Sequence, residues 1–235
     1  MCIKLSSIFL YQKWQKIVKK IIKNIKNLEK KDRTMLLLIF TTTANILLAV
    51  VKFIFAITIP SLWFFVNACF LAVLSMSRFF SIRNYGKRRN IINEKIKKEI
   101  GYKNYLHNGI LLIVLGIMYF FVSVYMYYKG TNTTMHEYLT YLVALNAFWS
   151  ISLSIHGMIK YKRESSPILK SVKITNFANA LTSIVLTQVV LLDTYASEYD
   201  LAEINGYTAV AVALAIIIMG LYMVINIQKL IETDE

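Results

Sequence analysis

The fold is decided by residues 165–193, SSPILKSVKITNFANALTSIVLTQVVLLD. Ser166 followed by Pro167 is a helix-start signal, because the N–H that proline lacks would have no intrahelical partner in the first turn. No acidic side chain follows until Asp193, and at about 1.5 Å per residue the segment is long enough to cross a bilayer. We therefore predict a membrane-spanning helix over this stretch.

Polar side chains recur on one face of this predicted helix. Thr175, Asn179, Thr182 and Ser183 lie at helical spacings of three and four residues. A polar stripe on a membrane helix faces other protein or water and not lipid. Together with Asn67 of an earlier apolar segment, these residues form a candidate polar pathway for a solute.

Long apolar blocks make up most of the 235-residue chain, which is 57% hydrophobic and has a positive mean hydropathy. Lipid offers the backbone no hydrogen bonds, so such segments are helices or the strands of a closed barrel. Barrel strands alternate apolar and polar residues, and these blocks do not. We therefore predict an all-α, polytopic bundle of six transmembrane helices within residues 35–229. The predicted spans are about 35–57, 60–79, 109–128, 138–158, 168–192 and 207–228.

The chain has a net charge of +14, and its basic residues are concentrated on one side of the predicted membrane. Every second connection is rich in lysine and arginine. Of the 27 basic residues, all but Lys52 and Lys129 lie in these connections or at the span ends that adjoin them. By the positive-inside rule, the N-terminus, the connection 80–108 and the tail 230–235 lie in the cytoplasm, which suits a multi-pass plasma-membrane protein. Isoleucines at four-residue intervals predict a short cytoplasmic helix within that connection. Because topology accounts for the lysines, we expect no nucleic-acid partner.

A leader of residues 1–34 precedes the first predicted span, and within it residues 8–32 have the pattern of a basic amphipathic helix. Three interpretations stay open. The helix lies on the anionic lipids of the inner leaflet, forms a coiled-coil seam in a dimer, or packs against the rest of the chain. The lysines assigned to the membrane surface are Lys13, Lys16, Lys19, Lys20, Lys23 and Lys26.

Chemically reactive side chains are sparse. We find no glycine-rich phosphate loop, catalytic carboxylate pair or Ser/His/Asp set, so we expect neither an enzyme nor a bound cofactor. Cys2 and Cys69 do not form a disulfide framework. His156, near a cytoplasmic boundary, is interpreted as a solvated or capping side chain. Lys52 either snorkels outward from the first span or points inward as a fixed positive charge.

Three stretches of the chain resemble a known family. Residues 45–67, NILLAVVKFIFAITIPSLWFFVN, combine an Asn, a Lys seven positions later and a Ser-Leu pair opening the second span. The predicted fifth helix has Ser-Pro at 166–167 and Ala-Leu-Thr-Ser at 180–183, and the last span is rich in small residues. Over about residues 36–228 the chain resembles the transmembrane domain of the cation diffusion facilitator (cation efflux) family. The resemblance implies six crossings, proton-coupled efflux of zinc, manganese or iron, and a homodimer.

The chain departs from this family at the metal ligands. The family's helix-two pair, His or Asp followed by Asp, falls on Phe70 and Leu74, and its helix-five His and Asp fall on Thr175 and Asn179. Zinc requires imidazole, thiolate or carboxylate donors, and proton exchange requires a group that titrates. The resemblance therefore implies a transmembrane domain with degenerate ligand positions and no metal. We also expect no counterpart of the family's cytoplasmic ferredoxin-like domain.

Two functional hypotheses follow from the resemblance and its departures. The first is a divergent transporter that keeps the fold and has an altered substrate. The second is a non-transporting relative that acts as a membrane scaffold, regulator or partner subunit. The second hypothesis predicts that side chains fill the former metal level, and that Asn67 and Asn179 form interhelical hydrogen bonds.

The predicted topology is testable with reporter fusions at the C-terminus. A fused green fluorescent protein should fluoresce, and a fused alkaline phosphatase should stay inactive in a bacterial host, because the positive-inside rule keeps this end in the cytoplasm. A fusion within the connection between the first two predicted spans should give the opposite pattern. Active phosphatase at the C-terminus would contradict the topology.

Overall fold

The computed structural model describes residues 30–58, 62–89, 91–130, 137–160, 166–196 and 201–232. Every regular element within these ranges is a helix, which confirms the all-α prediction. The chain divides into two compact units, residues 1–42 and 43–235, and the second unit contains the features described below. The helices are α1 (Lys30–Thr58), α2 (Leu62–Arg89), α3 (Glu94–Lys129), α4 (Glu137–Lys160), α5 (Pro167–Tyr195), α6 (Leu201–Ile225) and the short α7 (Ile227–Glu232).

Four helices are long and apolar enough to cross a membrane. Within the described residues they cover Leu62–Arg88, Glu94–Lys129, Pro167–Tyr195 and Ala202–Lys229. The apolar part of α1, Thr42–Thr58, is shorter. These helices establish a helical membrane protein in contact with lipid, whereas the six crossings and the orientation of the termini stay predictions.

Helix α5 lies at the centre of the bundle. It packs against α2, α3, α4 and α6, so it contacts every other long helix for which contacts are found except α1. The helix begins as the sequence predicts, with Ser166 in an extended conformation at the N-cap and Pro167 in the first turn. Central placement explains why both its apolar and its polar side chains are so extensively buried.

Helices α3 and α6 approach each other most closely, through glycines on both. A Cβ atom added to Gly220 would lie 2.8 Å from the carbonyl oxygen of Gly109 and 2.9 Å from the amide nitrogen of Ile113. One added to Gly116 would lie 2.7 Å from a side-chain carbon of Ile217. Small residues at such a seam let two membrane helices pack backbone to backbone. On α6, Ala209 and Ala213 are buried, whereas Ala211 is exposed.

The short helix predicted within residues 80–108 does not form as a separate element. Helix α2 continues to Arg89, and after a brief break α3 runs without interruption from Glu94 to Lys129. The amide nitrogen of Lys95 donates to the side chain of Asn93, which caps the start of α3. At 36 residues α3 is about 54 Å long, well beyond the roughly 30 Å hydrocarbon layer. The isoleucine periodicity therefore belongs to the first turns of a long helix.

A bulky substitution at the α3–α6 seam should destabilise the bundle. Gly220→Val places two methyl groups against backbone atoms of α3, and such overpacking costs about 2 kcal/mol. The measurement is the free energy of unfolding in mixed micelles, followed by circular dichroism. Gly86→Val is the control for helix propensity, because nothing lies within 4 Å of a Cβ atom at Gly86. Equal losses in both variants would show that the seam is not close-packed.

Candidate functional site

The four polar residues predicted to line a pathway on α5 are all buried in the structure. Their exposed fractions are 1% for Thr175, 7% for Asn179, 2% for Thr182 and 3% for Ser183. Asn67 of α2 is 2% exposed. All five residues therefore face protein, and none of them is open to lipid or bulk water.

Within the described residues, no hydrogen bond joins the side chain of one of these five residues to the side chain of another. The hydroxyls of Thr175 and Thr182 donate to carbonyl oxygens one turn back on α5, at 2.9 and 3.0 Å. The Asn67 amide donates to the carbonyl oxygen of Trp63 in its own helix at 3.0 Å. The prediction that Asn67 bonds to another helix is therefore wrong. Of these five described residues, only Asn179 forms a side-chain hydrogen bond to another helix. Its amide donates to the Ser150 hydroxyl of α4 at 3.2 Å.

Apolar and aromatic side chains fill the level where the family resemblance places a metal. Phe70 is 3% exposed and Leu74 is fully buried, and both belong to the main hydrophobic core. The Phe70 ring packs on Tyr119 of α3 at a centroid distance of 5.8 Å, and Tyr119 packs on Trp63 at 5.2 Å. Among the described residues no group of three or more His, Cys, Asp or Glu side chains is placed to hold a metal ion.

A different set of polar residues joins α2, α3 and α5. We call it the three-helix polar cluster. It consists of Ser77 and Ser81 of α2, Asn104 and Asn108 of α3, and Ser171 of α5, all 5% exposed or less. The Asn108 amide nitrogen donates to Ser81 at 3.2 Å and to Ser171 at 3.0 Å, while its carbonyl oxygen accepts from Ser77. The Asn104 amide nitrogen donates to the same two hydroxyls, at 3.0 and 3.3 Å.

The three-helix polar cluster is internally satisfied. Each asparagine amide group has two N–H donors, and each donor has a hydroxyl acceptor. The carbonyl oxygen of Asn104 accepts from Ser81 at 3.3 Å and from Asn84 at 3.1 Å, and the Ser171 hydroxyl donates to the carbonyl oxygen of Ile168. Fully paired polar groups rigidify a buried site and leave few positions for a ligand. The cluster therefore fixes the relative register of three helices.

Residue spacing could have predicted this cluster, but the predicted span boundaries excluded most of its residues. Asn104 and Asn108 are four residues apart, as are Ser77 and Ser81, so each pair lies on one helix face. Ending the second span at residue 79 and starting the third at 109 placed most of these residues outside the bundle. The extension of α2 and α3 as continuous helices brings them together.

Two basic side chains are buried within the bundle. Lys52 of α1 is 8% exposed, so it points inward and does not snorkel to the surface. Arg78 of α2 is 1% exposed, and its Nε and Nη2 atoms have no hydrogen-bond partner within the described residues. Buried cations in a membrane protein are costly and mark functional positions or internal partners.

The remaining sequence-predicted residues lie outside the described part of the chain. These are the surface lysines Lys13, Lys16, Lys19, Lys20, Lys23 and Lys26, and the side chain of His156. Their assignments stay predictions.

Comparison with known proteins leaves the resemblance to the cation diffusion facilitators as a proposal. No protein-family model matches the sequence, and no curated protein matches it significantly.

Removal of one asparagine should weaken the three-helix polar cluster measurably. Asn108→Leu leaves the hydroxyls of Ser77, Ser81 and Ser171 with one partner fewer each, and we expect a loss of about 2 kcal/mol in the free energy of unfolding. The measurement is unfolding in mixed micelles. Asn226→Leu is the control, because the Asn226 side chain bonds only to the Tyr222 hydroxyl four residues earlier, at the surface. A cost within about 0.5 kcal/mol of the control would mean that the cluster contributes nothing to stability.

Proposed function

We propose that the chain is a non-transporting relative of the cation diffusion facilitators, which crosses the plasma membrane six times and acts as a scaffold, regulator or partner subunit. Both termini face the cytoplasm in this proposal. The observation that carries it is the filled former metal level, where Phe70 and Leu74 are buried in the core and Thr175 donates its hydrogen bond to its own helix. A transporter of this type needs a hydrated chamber with ionisable ligands there.

Helix lengths and charge support the six crossings. Helices α1 and α4 contain 29 and 24 residues, about 44 and 36 Å, so each exceeds the roughly 30 Å hydrocarbon layer. Together with the four helices that are long and apolar enough to cross a membrane, α1 and α4 give six proposed crossings. An even number of crossings places both ends on one side, and the basic connections place that side in the cytoplasm.

The proposed partners are lipids and other membrane proteins. The basic cytoplasmic connections favour contact with anionic inner-leaflet lipids, at about 1 kcal/mol per basic side chain near the surface. A homodimer through the membrane helices follows from the family resemblance alone. Exposed aromatic residues on α4, such as Tyr141, Phe148 and Trp149, suit contact with lipid or with another membrane helix.

The non-transporting role is tested by metal flux in liposomes. Purified protein reconstituted into zinc-, manganese- or iron-reporter liposomes should give influx equal to that of protein-free liposomes, with and without a proton gradient. Because no three His, Cys, Asp or Glu side chains come together to hold a metal ion among the described residues, the expected rate difference is zero. Saturable influx of any of the three metals, abolished by Asn179→Leu, would contradict the proposal.

A second candidate function is a divergent transporter of an anionic solute. The observation that favours it is the pair of buried cations, Lys52 and Arg78, neither of which forms an ion pair within the described residues. Fixed positive charge attracts anions and repels divalent cations. Uptake of radiolabelled phosphate or chloride by the same liposomes tests this alternative, and uptake equal to protein-free liposomes eliminates it.

A further inference from the structure

The guanidinium of Arg78 presents an unused hydrogen-bonding edge. Both Nε and Nη2 are fully buried and have no partner within the part of the chain that the structure describes. These two nitrogens direct parallel N–H bonds to the same side of the planar group. Such a fork fits two oxygens of one phosphate or carboxylate group, which is the geometry of the strongest arginine pairs.

The neighbouring polar side chains of α2 are already committed. The Ser75 hydroxyl donates to the carbonyl oxygen of Leu71 at 2.7 Å, and Ser77 and Ser81 belong to the three-helix polar cluster. Two ion pairs are found among the described residues, Lys97 with Glu94 and Lys103 with Glu99. Both lie in the first turns of α3, and neither includes Arg78. The described interior therefore supplies no negative charge to this guanidinium, although an unpaired buried charge is strongly unfavourable.

The position of Arg78 favours a ligand from the cytoplasmic side. It lies 16 residues after the start of α2 at Leu62, or about 24 Å along the helix, which in the proposed topology is near the inner edge of the hydrocarbon layer. Arg83 and Lys87 follow on the same helix and are exposed. Basic residues leading to a buried cation concentrate anions at its entrance.

We propose that Arg78 anchors an anion-binding position, and that its ligand is a phosphate group. Two sources share this chemistry, free inorganic phosphate from the cytoplasm and the head group of an anionic inner-leaflet phospholipid. Two phosphate oxygens accept from Nε and Nη2 and neutralise the guanidinium. Since both nitrogens are enclosed in this structure, binding requires a rotation of the Arg78 side chain. The proposal does not depend on whether the protein transports anything.

The test is the thermal unfolding of purified, delipidated full-length protein in an uncharged detergent. One arm titrates sodium phosphate against sodium chloride at matched ionic strength, and the other adds phosphatidylglycerol to the micelles. Saturating ligand should raise the unfolding temperature of the wild-type protein by about 5 °C in at least one arm. The arm that responds identifies the source of the phosphate group.

Three variants test whether the shift in unfolding temperature depends on the Nε and Nη2 edge of Arg78. Arg78→Gln should abolish the shift, and Arg78→Lys, which keeps the charge but loses the bidentate edge, should reduce it to less than half. Lys129→Gln removes one charge from an exposed site in the last turn of α3, away from Arg78, and should respond as the wild type does. If Arg78→Gln does not fold, the comparison of Arg78→Lys with Lys129→Gln decides. No shift in either arm, or an equal shift in all variants, would overturn the proposal.

Discussion

The bundle is governed by the requirement that polar groups buried in a membrane find their partners within the protein. Water is absent from the hydrocarbon layer, so an unpaired amide or hydroxyl there is costly. The three-helix polar cluster meets this requirement by joining two asparagines of α3 to hydroxyls of α2 and α5. Each side chain satisfies another, and together they fix the positions of three helices.

The candidate polar residues on α5 meet the same requirement. The hydroxyls of Thr175 and Thr182 bond to their own backbone, and Asn179 bonds to Ser150, so none of these donors is directed into a shared space. On α2, Phe70 and Leu74 pack into the hydrophobic core. Arg78 departs from the rule, because its paired donors lack partners within the described residues.

Much of the fold was predictable from the sequence because helix periodicity and charge distribution act locally. The start of α5 follows from the Ser166-Pro167 pair, and the burial of its polar stripe follows from helical spacing. The continuity of α3 was missed, because the lysines between residues 95 and 103 resemble a cytoplasmic connection although they extend the same helix. The cluster at Asn104 and Asn108 was missed for the same reason.

Other features depend on tertiary contacts that no spacing reveals. Residue type alone left Lys52 free to point outward or inward, and only the packed bundle shows it buried. The same holds for Asn67, whose amide was expected to cross to another helix and bonds instead to the turn before it. Trp63, whose carbonyl oxygen accepts this bond, packs on Tyr119, which in turn packs on Phe70.

That the level of Phe70, Leu74 and Thr175 is dry and filled with side chains is tested most directly by cysteine accessibility at Thr175. Thr175→Cys, in a chain with Cys2 and Cys69 replaced by serine, keeps the side-chain volume at a position that is 1% exposed. A water-soluble maleimide should leave this cysteine unmodified in the folded protein and modify it fully after denaturation in sodium dodecyl sulfate. A cysteine at exposed Lys87 should react in both states. Modification of the folded Thr175→Cys protein at the rate of the Lys87 control would reveal an aqueous path to α5 and contradict the account.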